Sequence, residues 1–117
     1  MNVMNILFIQ TFVPMGWVYS KIVGTLPNVK TFRAHDYKSA LAHLVDNTMD
    51  LIITDAEYDT RYTAMDIIRL IENDTRVIVL VGKLDDHMRK VFEKQEVREK
   101  PLTFQGMKNI IKDMQNE

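Results

Sequence analysis

The stretch Leu51-Ile52-Ile53-Thr54-Asp55 decides the fold, because it is a short apolar run that ends in an acid. A second apolar run covers residues 77–81, and a third covers residues 4–10. Runs of strand length with so little polar alternation are typical of strands buried on both faces of a sheet. The sequence therefore predicts a parallel sheet, with Asp55 at the carboxyl end of one of its strands.

Segments with a helical repeat of apolar residues separate these strands. The first has Met15, Val18, Ile22 and Leu26 as its predicted buried face. Alternation of strands and helices across short connections predicts one α/β domain over residues 1–117, a (βα)5 unit with a doubly wound, five-stranded parallel sheet. The predicted strands are 4–10, 29–34, 50–55, 77–81 and a charged edge strand at 96–100; the predicted helices are 14–26, one capped by Asp36, 62–73, 84–92 and one capped by Thr103.

The composition excludes several classes of function. The chain has 117 residues, a net charge of −1 and no cysteine. The small net charge gives no field that would attract nucleic acid or an anionic membrane. The lack of cysteine excludes disulfides and thiolate chemistry, and no apolar run approaches the roughly 20 residues of a membrane helix. We expect a cytoplasmic protein without a signal peptide and without nucleic-acid or membrane partners.

The candidate site follows from the topology. In an open parallel sheet, function usually lies beyond the carboxyl ends of the strands. Because separate strands meet at that edge, residues far apart in sequence come together there. The residues selected by this rule are Gln10, Thr11, Asp55, Val81, Gly82 and Lys100.

This arrangement resembles the receiver domain of bacterial response regulators, the CheY-like superfamily. That family has a (βα)5 fold with strand order 2-1-3-4-5, similar to flavodoxin. Its acidic pair after strand 1 binds Mg²⁺, and an aspartate at the end of strand 3 accepts a phosphoryl group. A Ser or Thr ends strand 4, and a lysine in a Lys-Pro pair, whose peptide bond is cis, ends strand 5. The resemblance covers nearly the whole chain.

Two of the five signature positions are kept. Asp55 falls on the phosphoacceptor position, and Lys100, followed by Pro101, falls on the lysine position. Gln10 and Thr11 replace the acidic pair. The resemblance therefore implies a receiver fold in which Asp55 is either a vestigial or a working phosphoacceptor.

The substituted positions carry the chemical argument. Val81 replaces the Ser or Thr, and Val97 replaces the aromatic residue that takes part in the family's switch. Val81 cannot donate to a phosphoryl oxygen. A Val81/Val97 pair has no polar element to rearrange, so we expect the family's usual switch to be absent. Mg²⁺ prefers carboxylate oxygens, so we expect weak or absent Mg²⁺ binding and no other cofactor. Glu57 and Asp59 offer the only other acids close by, as candidates for a displaced cation site.

The resemblance implies an atypical, or pseudo-, receiver that stands alone and works through a partner protein, such as a kinase or an output protein, rather than as an enzyme. Trp17, on the first helix, is a candidate contact residue, although it could instead cover the Gln10/Thr11 loop. In the family, the face formed by helix 4, strand 5 and helix 5 often mediates a two-fold homodimer. On this chain, that face would present His87, Lys90, Arg98 and Phe104.

Two alternatives stay open. The first is a receiver that is still phosphorylated on Asp55 in a phosphorelay. The second is a small α/β enzyme or ligand-binding protein that uses the strand-end pocket, with Asp55 as an acid or base. Tyr58 and Tyr62 could plug that pocket, line it for a ligand, or contact a partner. The three histidines lack the spacing of a zinc site, and the chain contains no nucleophile–base motif.

Overall fold

Five parallel strands form one sheet in the order β2-β1-β3-β4-β5, flanked by helices. The computed structural model describes residues 2–59, 61–71 and 74–116. Every neighbouring strand pair is parallel. The predicted (βα)5 architecture and its strand order are therefore confirmed. The elements are β1 Met4–Ile9, α1 Val13–Val23, β2 Val29–Ala34, α2 Tyr37–Asp46, β3 Leu51–Asp55, α3 Ala64–Ile68, β4 Arg76–Val81, α4 Asp86–Val91, β5 Glu96–Glu99 and α5 Phe104–Gln115.

The central strands divide the core into two layers, because alternate side chains point to opposite faces of a sheet. Phe8, Ile53 and Leu80 face α1 and α5. Leu7, Ile52 and Val79 belong to the second layer, which includes residues of α2 and α3. All six are fully or almost fully buried. Burial of each such side chain stabilises the fold by roughly 1.5–3 kcal/mol, so the sheet holds its carboxyl edge firmly in place.

The buried face of α1 agrees with the predicted one only in part. Met15 and Leu26 pack against the core, as predicted, but the most deeply buried residues are others. Gly16, Tyr19 and Val23 are buried, whereas Val18 is 36% exposed. The ring of Tyr19 packs against Phe8, with 5.9 Å between the centroids. The apolar repeat missed this face because glycine and tyrosine contribute little to a count of aliphatic residues. The helix also ends at Val23, three residues before the predicted end.

The third helix is much shorter than the predicted 62–73. It covers Ala64–Ile68, and its first turn is closed by a capping box between Thr63 and Asp66. The amide of Leu70 donates to the carbonyl of Ile67, three residues back, so the helix tightens and ends there. The predicted positions 72 and 73 lie outside the described residues.

The remaining boundaries agree closely with the sequence. Asp36 and Thr103 cap α2 and α5 through hydrogen bonds to Ser39 and Gly106. The fourth helix is confined to Asp86–Val91, inside the predicted 84–92. The charged strand β5 lies at the edge of the sheet, as predicted. No helix among residues 2–59, 61–71 and 74–116 has the length and apolarity needed to span a bilayer.

Candidate functional site

Asp55 is buried at the carboxyl end of β3, with only 4% of its surface exposed. Its Oδ2 accepts two hydrogen bonds from Thr11, at 2.8 Å from the backbone N–H and 3.0 Å from the hydroxyl. The β1–α1 loop therefore holds this oxygen with a backbone and a side-chain donor at once. A buried carboxylate needs such partners, because an unpaired one would carry a large desolvation cost.

Lys100 completes the environment of Asp55. Its ammonium nitrogen lies 2.7 Å from Oδ1. The backbone N–H of Lys100 donates to the carbonyl of Val81 at 2.8 Å, and the Lys100-Pro101 peptide bond is cis. The structure thus brings the two kept signature positions together and shows the cis bond that the resemblance implies.

The side chains of Gln10 and Thr11, which occupy the positions of the family's acidic pair, point in different directions. Thr11 contacts Asp55, whereas Gln10 is 96% buried in the wall of a different cavity, beside α1 and β2. Adjacent residues in extended chain point to opposite sides, which explains the divergence. A carboxylate at position 11 would therefore lie beside Asp55, and one at position 10 would not.

A cavity of about 260 Å³ is lined by Gln10, and a separate cavity of about 180 Å³ opens above Asp55. Val81 lines the Asp55 cavity and offers no polar atom on its side chain. Val97 packs against the core layer that contains Val81. The cavity wall at Val81 is therefore aliphatic where the family has a hydroxyl. The Asp55 cavity is lined by Thr11, Asp55, Ala56, Glu57, Leu80, Val81, Gly82, Met88 and Lys100.

The acids on the β3–α3 loop do not join Asp55. Glu57 lines the Asp55 cavity, but Asp59 turns away and accepts backbone hydrogen bonds from Arg61 and Tyr62. Within the part of the chain that the structure describes, no three His, Asp or Glu side chains form a group that could hold a metal. The displaced cation site considered from the sequence is therefore not formed by these residues.

Neither tyrosine of that loop lines the Asp55 cavity. Tyr58 turns inward, and its hydroxyl lies 2.6 Å from the hydroxyl of Thr54. The amide of Tyr58 donates to the carbonyl of Tyr62, which closes the loop. The ring of Tyr62 stacks on Tyr37 of α2 at 4.0 Å, almost parallel. Tyr58 therefore packs into the core beside Thr54, and Tyr62 joins α2 to the loop.

Tyr58→Phe is expected to lower the free energy of unfolding by about 1 kcal/mol at pH 7, because one buried hydrogen bond is lost. Burial raises the pKa of Tyr58, with the nearby Asp55 and Asp66 charges adding to the effect and the Thr54 hydrogen bond opposing it. Because the pKa of Tyr58 is raised on folding, the stability that its neutral hydroxyl contributes is complete below pH 10, which is the pKa in the unfolded state. That stability is lost as the pH rises above 10.

The variant should therefore lose less stability than the wild type above pH 10. The difference in slope should approach about 1.4 kcal/mol per pH unit, which is the value for one proton. Urea unfolding at several pH values from 7 to 11 would measure it. Parallel stability curves for the two proteins would show that the Tyr58 hydroxyl does not titrate from a buried position.

The candidate interface residues are at the surface. Trp17 is 50% exposed, and the ammonium of Lys21 lies 5.5 Å from its ring centroid. Its neighbours Phe12 and Val13 are also exposed. In the C-terminal part of the chain, His87 and Lys90 are exposed on α4, and Phe104 of α5 is 40% exposed. Arg98 lies on β5 and pairs with Glu96 at 3.1 Å.

No protein-family model and no curated protein sequence matches the chain. Solved structures do match. A response regulator receiver domain from Clostridium thermocellum superposes with a TM-score of 0.79 at 23% identity, covering 97% of this chain and 95% of that one. The chemotaxis response regulator CheY4 of Vibrio cholerae gives a TM-score of 0.79 at 13% identity, covering 96% and 98%. The RcsB response regulator of Salmonella typhimurium gives 0.80 at 16% identity, covering 99% of this chain but 62% of that one.

The chain therefore has the fold of the CheY-like receiver domains of response regulators. The likeness extends over nearly its whole length. At these identities it establishes the fold, and the chemistry has to be argued from the residues around Asp55.

Proposed function

We propose that this protein is a receiver-like signalling module that acts by binding a partner protein, without phosphorylation of Asp55. The observation that carries the proposal is the state of the Asp55 carboxylate. One oxygen accepts two hydrogen bonds from Thr11, and the other meets the Lys100 ammonium at 2.7 Å. Apart from Lys100, the positions whose side chains would assist phosphoryl transfer carry neutral or aliphatic side chains.

Phosphoryl transfer depends on positioning and on neutralising the charge of the transferred group. An attacking oxygen of Asp55 would first have to leave Thr11 or Lys100. Thr11 then offers Mg²⁺ a neutral oxygen instead of a second carboxylate, which hard cations prefer. Val81 offers the phosphoryl oxygens no donor. Each substitution removes one of the contributions on which this chemistry relies, and Lys100 alone remains.

Intact mass after incubation with acetyl phosphate and Mg²⁺ tests the proposal. We expect no phosphate adduct on the wild-type protein, as on the Asp55→Ala control. A second receiver of known competence in the same tube would show that the reagent is active. An adduct on the wild type that is missing from Asp55→Ala would overturn the phosphorylation-independent function.

The same experiment decides the second candidate function, a phosphoacceptor in a two-component phosphorelay. The specific observation in its favour is the Asp55–Lys100 pair, which places the kept lysine directly on the kept aspartate. The third idea, an enzyme or ligand-binding protein with tyrosines around Asp55, gains no such support. Tyr58 and Tyr62 lie elsewhere, and we propose a non-enzymatic role.

Two surfaces are proposed for partner contact. One is centred on Trp17, where Phe12 and Val13 extend an exposed apolar patch suited to a kinase or an output protein. The other is the α4-β5-α5 face with Phe104, for which a two-fold homodimer is the proposed assembly. Light scattering at high protein concentration tests the dimer directly, and a monomer would remove it. We propose the cytoplasm as the location of the module and its partners.

Trp17→Ala and Phe104→Ala separate the two surfaces, because each removes one exposed ring without disturbing the core. Capture of partners from a bacterial lysate, followed by mass spectrometry, would compare both variants with the wild type. Loss of the same partner from Trp17→Ala alone would identify the α1 patch as its contact surface. Equal capture by all three proteins would exclude both rings as anchors.

A further inference from the structure

An unexplained polar feature lies in the Gln10 cavity, which has a volume of about 260 Å³. It opens where the carboxyl ends of β1 and β2 meet the start of α1. None of its lining residues lines the Asp55 cavity. Its lining residues are Gln10, Val13, Gly16, Arg33, Ala34 and His35.

Gln10 is buried with an unsatisfied amide nitrogen. Only 4% of its surface is exposed, and its Nε2 is covered and has no hydrogen-bond partner among the described residues. A buried amide without a partner costs roughly 1–3 kcal/mol, and an aliphatic side chain would avoid that cost. The terminal torsion of glutamine is broad, so a turn of the amide brings its NH₂ group to the cavity side. A ligand oxygen there would supply the missing acceptor.

The charge of the cavity wall is positive or neutral. Arg33 and His35 belong to the lining, and no acid does. Within the described part of the chain, no carboxylate lies within ion-pair distance of the Arg33 guanidinium; His35 has only a 3.4 Å contact to the exposed Asp36. A guanidinium presents a planar fork of donors that matches carboxylate and phosphate groups. The wall therefore favours an anion.

The N-terminus of α1 adds a third contribution. Its N-cap is Phe12, which provides no side-chain hydrogen bond, and its first turn contains no acid. The other helices are each capped by the side chain of Asp36, Thr63, Asp85 or Thr103. The dipole of a helix attracts anions to its N-terminus. In the first turn of α1, Pro14 has no N–H and the Met15 N–H donates to the Phe12 carbonyl, so Val13 supplies the backbone N–H. Val13 and Gly16 of this helix form part of the cavity wall, and Gly16 leaves it open because it has no side chain.

We propose that this cavity binds a small oxyanion, a phosphate monoester or a carboxylate, between Gln10, Arg33 and the N-terminus of α1. Arg33 supplies the charge, Gln10 donates through its amide, and Val13 donates through its backbone N–H at the start of α1. The cavity is slightly smaller than the roughly 300–1,000 Å³ of pockets for drug-sized ligands, which suits a small molecule. This function is independent of phosphorylation at Asp55.

The test is a titration of the ¹⁵N-labelled protein with sodium phosphate and, separately, with methyl phosphate and sodium acetate, each at constant ionic strength. We expect saturable shifts of the Val13 and Gly16 amide signals for at least one of the three anions. Arg33→Gln should weaken that binding at least tenfold. Lys94→Gln changes the charge equally at an exposed residue outside the cavity, and it should bind as the wild type does.

Two further variants keep the test independent of folding. Gln10→Leu should raise Tm without anion, since the unpartnered amide is gone, and should abolish the shifts. Gly16→Ala places a Cβ 3.5 Å from Gln10 Cβ, an ordinary contact, so the helix is retained while the cavity narrows and binding weakens.

Unsaturable shifts, or equal shifts in Arg33→Gln and Lys94→Gln, would overturn the proposal. A lower Tm for Gln10→Leu, with binding unchanged, would overturn the role of Gln10.

Discussion

Lys100→Met is expected to lower the free energy of unfolding by about 2 kcal/mol at pH 7. Removing one partner of a fully buried ion pair costs about 3–5 kcal/mol, because the other charge is left behind without compensation. The side chain of Asp55 is 5% exposed, but that of Lys100 is 42% exposed, so water replaces part of the lost interaction. The expected cost is therefore about half of the fully buried value.

Asp55→Asn should cost less than Lys100→Met, although it alters the more deeply buried residue. Asparagine keeps an oxygen that can accept from the Thr11 N–H, which lies 2.8 Å from Asp55 Oδ2 in the wild type. It also removes the negative charge that needs Lys100. In the Lys100→Met background, Asp55→Asn should restore more than half of the lost stability. The interaction energy from this double-mutant cycle measures the ion pair itself.

Urea unfolding of the four proteins would provide the cycle, with Lys94→Met as the control for loss of one surface charge. For a domain of this size, the Lys100→Met effect corresponds to a fall in Tm of roughly 8 °C. A cost below about 0.5 kcal/mol, typical of exposed pairs, would show that Lys100 does not stabilise the buried carboxylate. Asp55 would then be available for chemistry, which would weaken the proposed phosphorylation-independent role.

The strands were predictable because their apolar runs are uninterrupted. Ile6 to Ile9 and Leu51 to Ile53 are fully buried in the structure, so a simple count of apolar residues finds them. The Asp55–Lys100 pair was also predictable, since parallel topology brings strand ends together whatever their separation in sequence. These features depend on patterns that extend over several residues.

The features that the sequence did not reveal depend on single side chains. Tyr58 points into the core because the loop closes on itself through a hydrogen bond between Tyr58 and Tyr62. Gly16 and Tyr19 define the buried face of α1, where an aliphatic repeat indicated other residues. The separation of Gln10 from Thr11 was accessible in principle, since neighbours in extended chain face opposite ways. The positively charged cavity beside Gln10 could not be predicted, because it depends on Arg33 of β2 and no sequence motif links that residue to β1.

Thr11→Asp is expected to destabilise the protein by about 2–3 kcal/mol in the absence of divalent cations. The hydroxyl that it replaces lies 3.0 Å from Asp55 Oδ2, so the new carboxylate comes close to an existing one. Two like charges about 4 Å apart repel by about 4 kcal/mol at an effective dielectric constant near 20. Lys100, at 2.7 Å from Oδ1, offsets part of that repulsion. One hydrogen bond to Asp55 is lost as well.

Mg²⁺ should reverse this destabilisation, because paired carboxylates are the ligands that a hard cation requires. A cation that binds only the folded state stabilises it by about 2.7 kcal/mol when its concentration is 100 times Kd. The Tm of Thr11→Asp should therefore rise steadily with Mg²⁺ and come near the wild-type Tm when the Mg²⁺ concentration is about 100 times Kd. Thr11→Asn, which is neutral and of the same size as Asp, should show no such shift at equal ionic strength.

The wild-type protein should behave as Thr11→Asn does, since Thr11 places a hydroxyl where a carboxylate would bind the ion. Gln10→Asp should not substitute for Thr11→Asp, because Gln10 faces the cavity beside Arg33 and makes no hydrogen bond with Asp55 among the described contacts. A Mg²⁺-dependent rise in the wild-type Tm would mean that Asp55 and neutral oxygens suffice to hold the ion. The presence of Thr11 instead of a carboxylate would then not explain why Asp55 is not phosphorylated in the proposed function. A rise confined to Thr11→Asp would assign to that single position the lost affinity for the metal.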